Sequence, residues 1–164
     1  MLTIDKIFHA SLVLKDIIRP TPLARAYGFS KDFTLYFKPE NLQRTGSFKL
    51  RGSGYKIAML SEEEKAKGVI ACSAGNHAQG VAFSCNKLKI VGSIFMPTTT
   101  PKQKIEQVRM FGKEFIEIVL TGDTFDAANA AAIEYAKESG KTFIPPFDDP
   151  KVMEGQGTIG KEIL

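Results

Sequence analysis

Val69-Ile70-Ala71-Cys72-Ser73-Ala74-Gly75-Asn76-His77-Ala78-Gln79-Gly80 is an apolar run, then a turn of small residues, then the start of a helical pattern. Four consecutive apolar residues with no alternation predict a strand buried on both faces, as in a parallel sheet. The turn sits where that strand ends, and in an open α/β sheet the crevice beyond the strand ends is where ligands bind.

The same alternation continues in both directions from this unit. Upstream, Ile4 to Lys15 is apolar at helical spacing and stops before Arg19-Pro20-Thr21-Pro22, where two prolines force extended backbone. Thr34–Lys38 reads as a strand, Ser47–Leu60 as a helix and Glu62–Lys67 as a short charged helix. Downstream, strands are predicted over Ile90–Phe95, Phe115–Leu120 and Thr142–Ile144. Helices are predicted over Lys102–Phe111, Asp126–Glu138 (stopped at Gly140) and Val152–Leu164. Strand and helix in turn imply an α/β protein, a mostly parallel sheet with helices on both faces. The Val69, Ile90 and Phe115 strands are all expected to be covered on both sides, and Phe33, Phe37, Phe83, Phe95 and Phe115 to belong to the core.

Composition excludes several classes. The formal charge is 22 − 18 = +4 with acids and bases interleaved, which argues against nucleic acid and against a membrane surface as partner. The longest stretch free of charge, Gly68 to Asn86, is broken by Gly75, Asn76, His77 and Gln79 and is not a membrane span. The first residues carry Asp5 and lack an apolar core with a small-residue cleavage site, so no export signal is read. Cys72 and Cys85 make no disulfide framework and no zinc spacing, and a cytoplasmic location is expected. The chain stops within an amphipathic helix at Lys161-Glu162-Ile163-Leu164, where a natural protein can end and where a fragment of a longer protein would look the same.

Two segments are placed to carry chemistry. In Lys38-Pro39-Glu40-Asn41-Leu42-Gln43-Arg44-Thr45-Gly46-Ser47-Phe48-Lys49-Leu50-Arg51-Gly52, Thr45 or Ser47 is positioned to cap a helix that holds Lys49 in its first turn. The partial positive charge of a helix start disfavours an ammonium, and a lysine with lowered pKa is what covalent chemistry with an aldehyde requires. An ordinary surface lysine fits the same local pattern. In the Ser73–His77 turn, helix-start N–H groups beside Ser73 and Asn76 suit a carboxylate or phosphate, and plain capping by those two residues suits the sequence equally. Thr98-Thr99-Thr100 ahead of Pro101 reads as a helix start with proline first, Asp148-Asp149 ahead of Pro150 as a cap, and Gly155-Gln156-Gly157-Thr158 as a steric glycine pair. No metal site is expected.

Taken in order, Pro20-Thr21-Pro22-Leu23, KPENLQRTGSFKLRG (38–52), SAGNHAQGVA (73–82) and FDDPKVMEGQGT (147–158) resemble the amino-terminal half of the threonine dehydratases (threonine ammonia-lyases). These belong to the pyridoxal-phosphate-dependent serine/threonine dehydratase family, with serine racemases as relatives and threonine and cysteine synthases as more distant ones. The resemblance covers essentially the whole chain. It implies the tryptophan-synthase-β-like fold, here incomplete: residues 1–40 as the first segment of a large subdomain, 41–140 as a small mobile subdomain, and 141–164 as the return into the large one.

The resemblance also implies roles. Lys49 would bond covalently to pyridoxal 5'-phosphate and later move protons. Phe48 would lie against the pyridine ring, and Asn76 would bond the ring's 3′ oxygen. Ser73, Ala74, Gly75, Asn76 and His77 would cradle the substrate carboxylate. The implied reaction is β-elimination from L-threonine or L-serine to a 2-oxo acid and ammonia, in a homo-oligomeric (dimeric or tetrameric) enzyme of amino-acid metabolism, isoleucine biosynthesis included. Related racemases place a serine where this chain has Ala74, and a methyl cannot exchange a proton, so elimination is expected over racemisation. The family's glycine-rich phosphate loop would lie beyond Leu164. The contrasting reading is a cofactor-free α/β domain acting as a structural or self-associating module. A generic phosphate binder is disfavoured, because no glycine fingerprint for one is present.

Overall fold

The computed structural model describes all residues from Met1 to Leu164. Seven α-helices are present: α1 (Ile4–Val13), α2 (Lys49–Ala58), α3 (Glu62–Lys67), α4 (Asn76–Leu88), α5 (Lys102–Gly112), α6 (Phe125–Ser139) and α7 (Pro150–Ile163). Six strands accompany them: β1 (Ala24–Ala26), β2 (Leu35–Phe37), β3 (Val69–Cys72), β4 (Gly92–Met96), β5 (Ile116–Leu120) and β6 (Thr142–Phe143). The main sheet runs β5-β4-β3-β6 and is parallel throughout, while β1 and β2 form a separate antiparallel pair.

Why β3 reads as a continuous apolar run is now visible: every residue of it is buried, because helices cover both faces of the sheet. On one face Val69, Ala71, Ile94 and Met96 pack against Ala78, Val81, Ala82 and Cys85 of α4 and Ile105 and Val108 of α5. On the other, Ile70, Cys72 and Phe95 pack against Ala128 and Ala132 of α6, where methyl side chains let the helix approach closely. Thr124 caps α6 by accepting from the Ala127 N–H, and Gly140, at φ +66°, ends it in the left-handed conformation that glycine adopts without strain. Burial pushes the Cys72 and Cys85 thiols up to about 11 and about 12, which leaves both protonated and inert.

Helix α7 returns across α2, and the glycine pair is steric as its sequence indicated. A Cβ on Gly155 would lie 2.5 Å from the Arg51 carbonyl oxygen and 2.8 Å from the Gly52 Cα, so the two backbones touch there. At the same crossing Arg51 is wholly buried. Its Nε and Nη2 donate to Glu40 (2.7 and 2.8 Å), and its Nη1 and Nη2 donate to Glu162 (2.7 and 2.9 Å). Lys38 adds a 2.6 Å pair to Glu162, so two cations fasten the segment before α2 to the end of α7.

The sequence reading departs from this fold in several places. Strand β1 was not anticipated, because Ala24-Arg25-Ala26 carries no β-branched or aromatic residue. Strand β5 is covered only in part: it is an edge strand paired only to β4, with Ile116 and Ile118 half-buried against one core cluster, Val119 against the other, and Glu117 and Leu120 exposed. Phe33 and Phe37 are about half exposed beside the β1–β2 pair rather than in the core, whereas Phe95 is buried as expected. Neither Thr45 nor Ser47 caps α2. The Ser47 hydroxyl only accepts a 3.3 Å bond from the Lys49 N–H, and the buried Thr45 hydroxyl has no partner. Pro101 stands one residue before α5 rather than at its first position. Asp149 does cap α7, accepting from the Lys151 and Val152 N–H groups at 2.9 and 3.0 Å. No helix is long and apolar enough to cross a membrane.

Candidate active site

Lys49 lies in the first turn of α2 as expected, and is its first residue, the helix starting two residues later than the Ser47 predicted. Its side chain runs out to donate a 2.7 Å hydrogen bond to the Pro146 carbonyl, 97 residues away in the connection between β6 and α7. The Nζ lies 5.3 Å from the Phe48 ring centroid and 5.5 Å from that of Phe147. No carboxylate pairs with it. Burial therefore lowers the Lys49 pKa, since one carbonyl dipole and two ring faces do not replace the lost hydration. The cause is burial, where the sequence had pointed to the helix start.

Glycine at position 80 brings the second motif to this amine. A Cβ there would sit 2.8 Å from the Ser53 Oγ and 3.1 Å from the Leu50 backbone nitrogen, so α4 lies directly on the first turns of α2. Helix α4 begins at Asn76 with Gly75 in the capping position, and no side chain caps it. Its opening N–H groups consequently have no side-chain partner. Ser73 does not serve them: its Oγ accepts from the Gly75 N–H at 3.2 Å within the turn. Asn76 is exposed, Ala74 is half-buried, and a Cβ on Gly75 would meet nothing within 4 Å. Space is open in front of the helix start.

His77 is the buried member of the turn, 4% exposed. Its Nε2 lies 2.8 Å from the Ile144 carbonyl oxygen. A carbonyl only accepts, so that nitrogen carries the hydrogen. Burial, with help from the Lys49 charge and against the Ile144 bond, takes the His77 pKa down to about 4, and the ring is neutral.

Lys49, Phe48, Ser73, Ala74, Gly75, Asn76 and His77 thus occupy two adjoining helix starts, with the Ile144–Phe147 segment bonded to both through Lys49 and His77. Lys49 lines none of the chain's three cavities, and the site is an open face. Sequence reasoning missed three parts of it: the Pro146 carbonyl, the Phe147 ring and the Lys56–Asp149 ion pair (2.5 Å). The signal available was Pro145-Pro146-Phe147-Asp148-Asp149-Pro150 itself, a proline-rich turn closing on α7.

Residues 14–164 match the family model described as pyridoxal-phosphate dependent enzyme. The chain belongs to this family of pyridoxal-phosphate-dependent enzymes. It is 51% identical to the biosynthetic L-threonine dehydratase of Bacillus subtilis over 166 residues, covering 100% of this chain and 39% of that protein. Among solved structures it resembles the processed form of threonine deaminase isoform 2 from Solanum lycopersicum, with a TM-score of 0.88 and 45% identity over 98% of this chain and 48% of that one. It also resembles serine racemase from Dictyostelium discoideum, with a TM-score of 0.90 and 30% identity over 99% of this chain and 52% of that one. The chain spans about two-fifths of the length of the dehydratase it matches and about half of each solved chain. Family membership and the α/β fold are therefore settled on independent grounds, the site geometry aside.

Proposed function

We propose that this chain carries the reacting lysine of an ammonia-lyase that converts L-threonine, or L-serine, to a 2-oxo acid and ammonia. The observation that carries the reading is the Lys49 amine: half-buried, without a counter-ion, flanked by two aromatic rings and set beside an uncapped helix start. These residues fit pyridoxal phosphate. Phe48 offers an exposed flat ring face, Asn76 an exposed amide for a ring oxygen, and Lys49 an amine for its aldehyde. When bound, the cofactor supplies an aldehyde carbon that takes up an amine and a ring that spreads charge developing at the substrate's α-carbon.

The chain's own groups do the rest. The free N–H groups at the start of α4, with Ser73 beside them, bind and orient the substrate carboxylate in the open space before Gly75. Lys49 Nζ, as the free base favoured by its lowered pKa, accepts the α-proton. Ala74 offers no acid on the opposite side of the substrate, which favours elimination over racemisation. The reading assigns residues 1–40 and 141–164 to one subdomain and 41–140 to the other. It extends to a cytoplasmic homo-oligomer supplying isoleucine biosynthesis, in keeping with the biosynthetic designation of the Bacillus subtilis relative. Exposed Ile4, Phe8 and Leu12 on α1 support burial of that face against further protein.

An absorbance titration with pyridoxal phosphate, followed by threonine and an assay for 2-oxobutanoate, tests the reading. A visible band that depends on Lys49 supports it. A titration in which Lys49→Ala binds the cofactor as the parent does contradicts it.

A further inference from the structure

The connection from β6 to α7 is fastened at both ends by side chains that the reaction itself does not use. At its start the Ile144 N–H donates to the Ile70 carbonyl within the sheet (2.7 Å), and the Ile144 carbonyl accepts from His77 Nε2 (2.8 Å). At its end the Asp149 carboxylate pairs with Lys56 (2.5 Å) while also capping α7, and the Asp149 N–H donates to the Phe147 carbonyl (2.9 Å). Between these pins lie Pro145 and Pro146, which have no N–H of their own, and the Pro146 carbonyl accepts from Lys49. Lys49 and Lys56 stand seven residues apart on α2, two turns along one face. One helix thus reaches both the middle and the end of the connection, and α4 holds its start.

The middle bond differs in kind from the other two. The amine that accepts a proton or forms a covalent bond is free to give up the Pro146 carbonyl, because the reaction uses its lone pair and redirects its N–H groups. The His77 and Lys56 bonds involve no atom that reacts. We propose that His77 and Lys56 are positioning residues, which pin the Ile144–Asp149 connection so that the Pro146 carbonyl and the Phe147 ring keep their register on Lys49 while its amine is exchanged. This rests on Lys49 as the reacting amine and adds side-chain roles for His77, Lys56 and Phe147 beyond carboxylate binding. His77 acts here through its ring rather than its backbone, and the neutral Nε2–H tautomer is the form the bond requires.

Competitive acetylation of the cofactor-free chain, read lysine by lysine by mass spectrometry, tests the pinning. His77→Leu and Lys56→Met are each expected to raise Lys49 labelling about tenfold, the factor carried by one hydrogen bond to a charged group. Exposed Lys104 and Lys137 stay at parental rates as internal controls. His77→Gln, whose amide can donate to Ile144, is expected to restore near-parental Lys49 labelling. Nitrogen-15 NMR of the parent is expected to show the Nε2–H tautomer at His77. Parental Lys49 labelling in folded His77→Leu overturns the proposal, as does the Nδ1–H tautomer. Should His77→Leu fail to fold, parental Lys49 labelling in Lys56→Met overturns it from the other pin. No cofactor or substrate is present, so failure of the proposed reaction would leave these readouts unmoved.

Discussion

Arg51 and Glu162 meet through two parallel hydrogen bonds, Nη1 to Oε1 at 2.7 Å and Nη2 to Oε2 at 2.9 Å, across 111 residues of chain. Glu40 grips the same guanidinium from the other side. With no exposed surface left on Arg51, its removal leaves Glu40 without a cation and Glu162 with Lys38 alone, in a place built for a guanidinium. Arg51→Met is expected to cost about 3–5 kcal/mol in urea unfolding, the usual penalty for breaking a buried pair from one side. Arg51→Lys is expected to fall between that and the parent, because an ammonium cannot serve both glutamates with paired bonds. Parental stability in Arg51→Met would show that the network is ornamental.

Acid should reveal two of these groups in sequence. Burial alone would raise the Glu162 carboxyl, but Arg51 and Lys38 hold it down to about 2. A depressed carboxyl stabilises the fold above its unfolded value of 4.5, and that contribution is lost as pH falls through the interval down to about 2. His77 works at higher pH. Its pKa is lowered from 6.5 to about 4, so the unfolded chain binds the extra proton first, and stability declines as pH falls from 6.5 toward 4. Denaturation midpoints measured across pH should show both slopes. Glu162→Gln should flatten the lower one and His77→Gln the upper one.

Lys49 is held at a cost to the fold. Its pKa is lowered by burial, so the folded chain binds its proton less tightly than the unfolded chain does, and stability rises with pH as that proton is lost. Lys49→Met should therefore melt at or above the parent at neutral pH while losing cofactor attachment, a stability–function trade seen at reacting sites. A clear fall in melting temperature would mark Lys49 as structural.

Much of this fold was legible because its signals are local. The all-apolar Val69–Cys72 run, the alanine stripe of α6 and the Gly140 stop each report their own structure. Lys49 at a helix start and the small-residue turn before Asn76 were legible for the same reason. What could not be read depends on partners far along the chain. Arg51 looks like a surface residue until Glu40 and Glu162 converge on it, and Pro146 acquires its bond only when β6 is laid beside β3. Strand β5 shows the limit of an apolar pattern, which does not distinguish an edge from a centre.

Two glycines separate packing from function. In Gly155→Ala the new methyl meets backbone at 2.5 Å on Arg51, so α2 and α7 must part, and a loss of about 1–3 kcal/mol is expected. In Gly75→Ala the methyl meets no atom within 4 Å, and the melting temperature should change little. That methyl would instead occupy the space before α4, so carboxylate binding should weaken. Thermal melts of both variants, beside threonine binding by the Gly75 variant, check the contrast.

On the proposed reading, Ala74 favours elimination over racemisation. Chiral chromatography of the protein incubated with pyridoxal phosphate and L-serine should show 2-oxo acid without D-serine, and Ala74→Ser should begin to release D-serine. D-serine from the parent would overturn the assignment of elimination to this site.

Borohydride trapping puts the central claim, that Lys49 carries the chemistry, to its most direct test. The chain is incubated with pyridoxal phosphate, reduced, digested and mapped by mass spectrometry. The expected result is a reduced adduct concentrated on Lys49 and absent from Lys49→Ala, although the chain has 17 lysines and many exposed amines compete. An adduct spread over surface lysines, with Lys49 no more modified than Lys104 or Lys137, would contradict it.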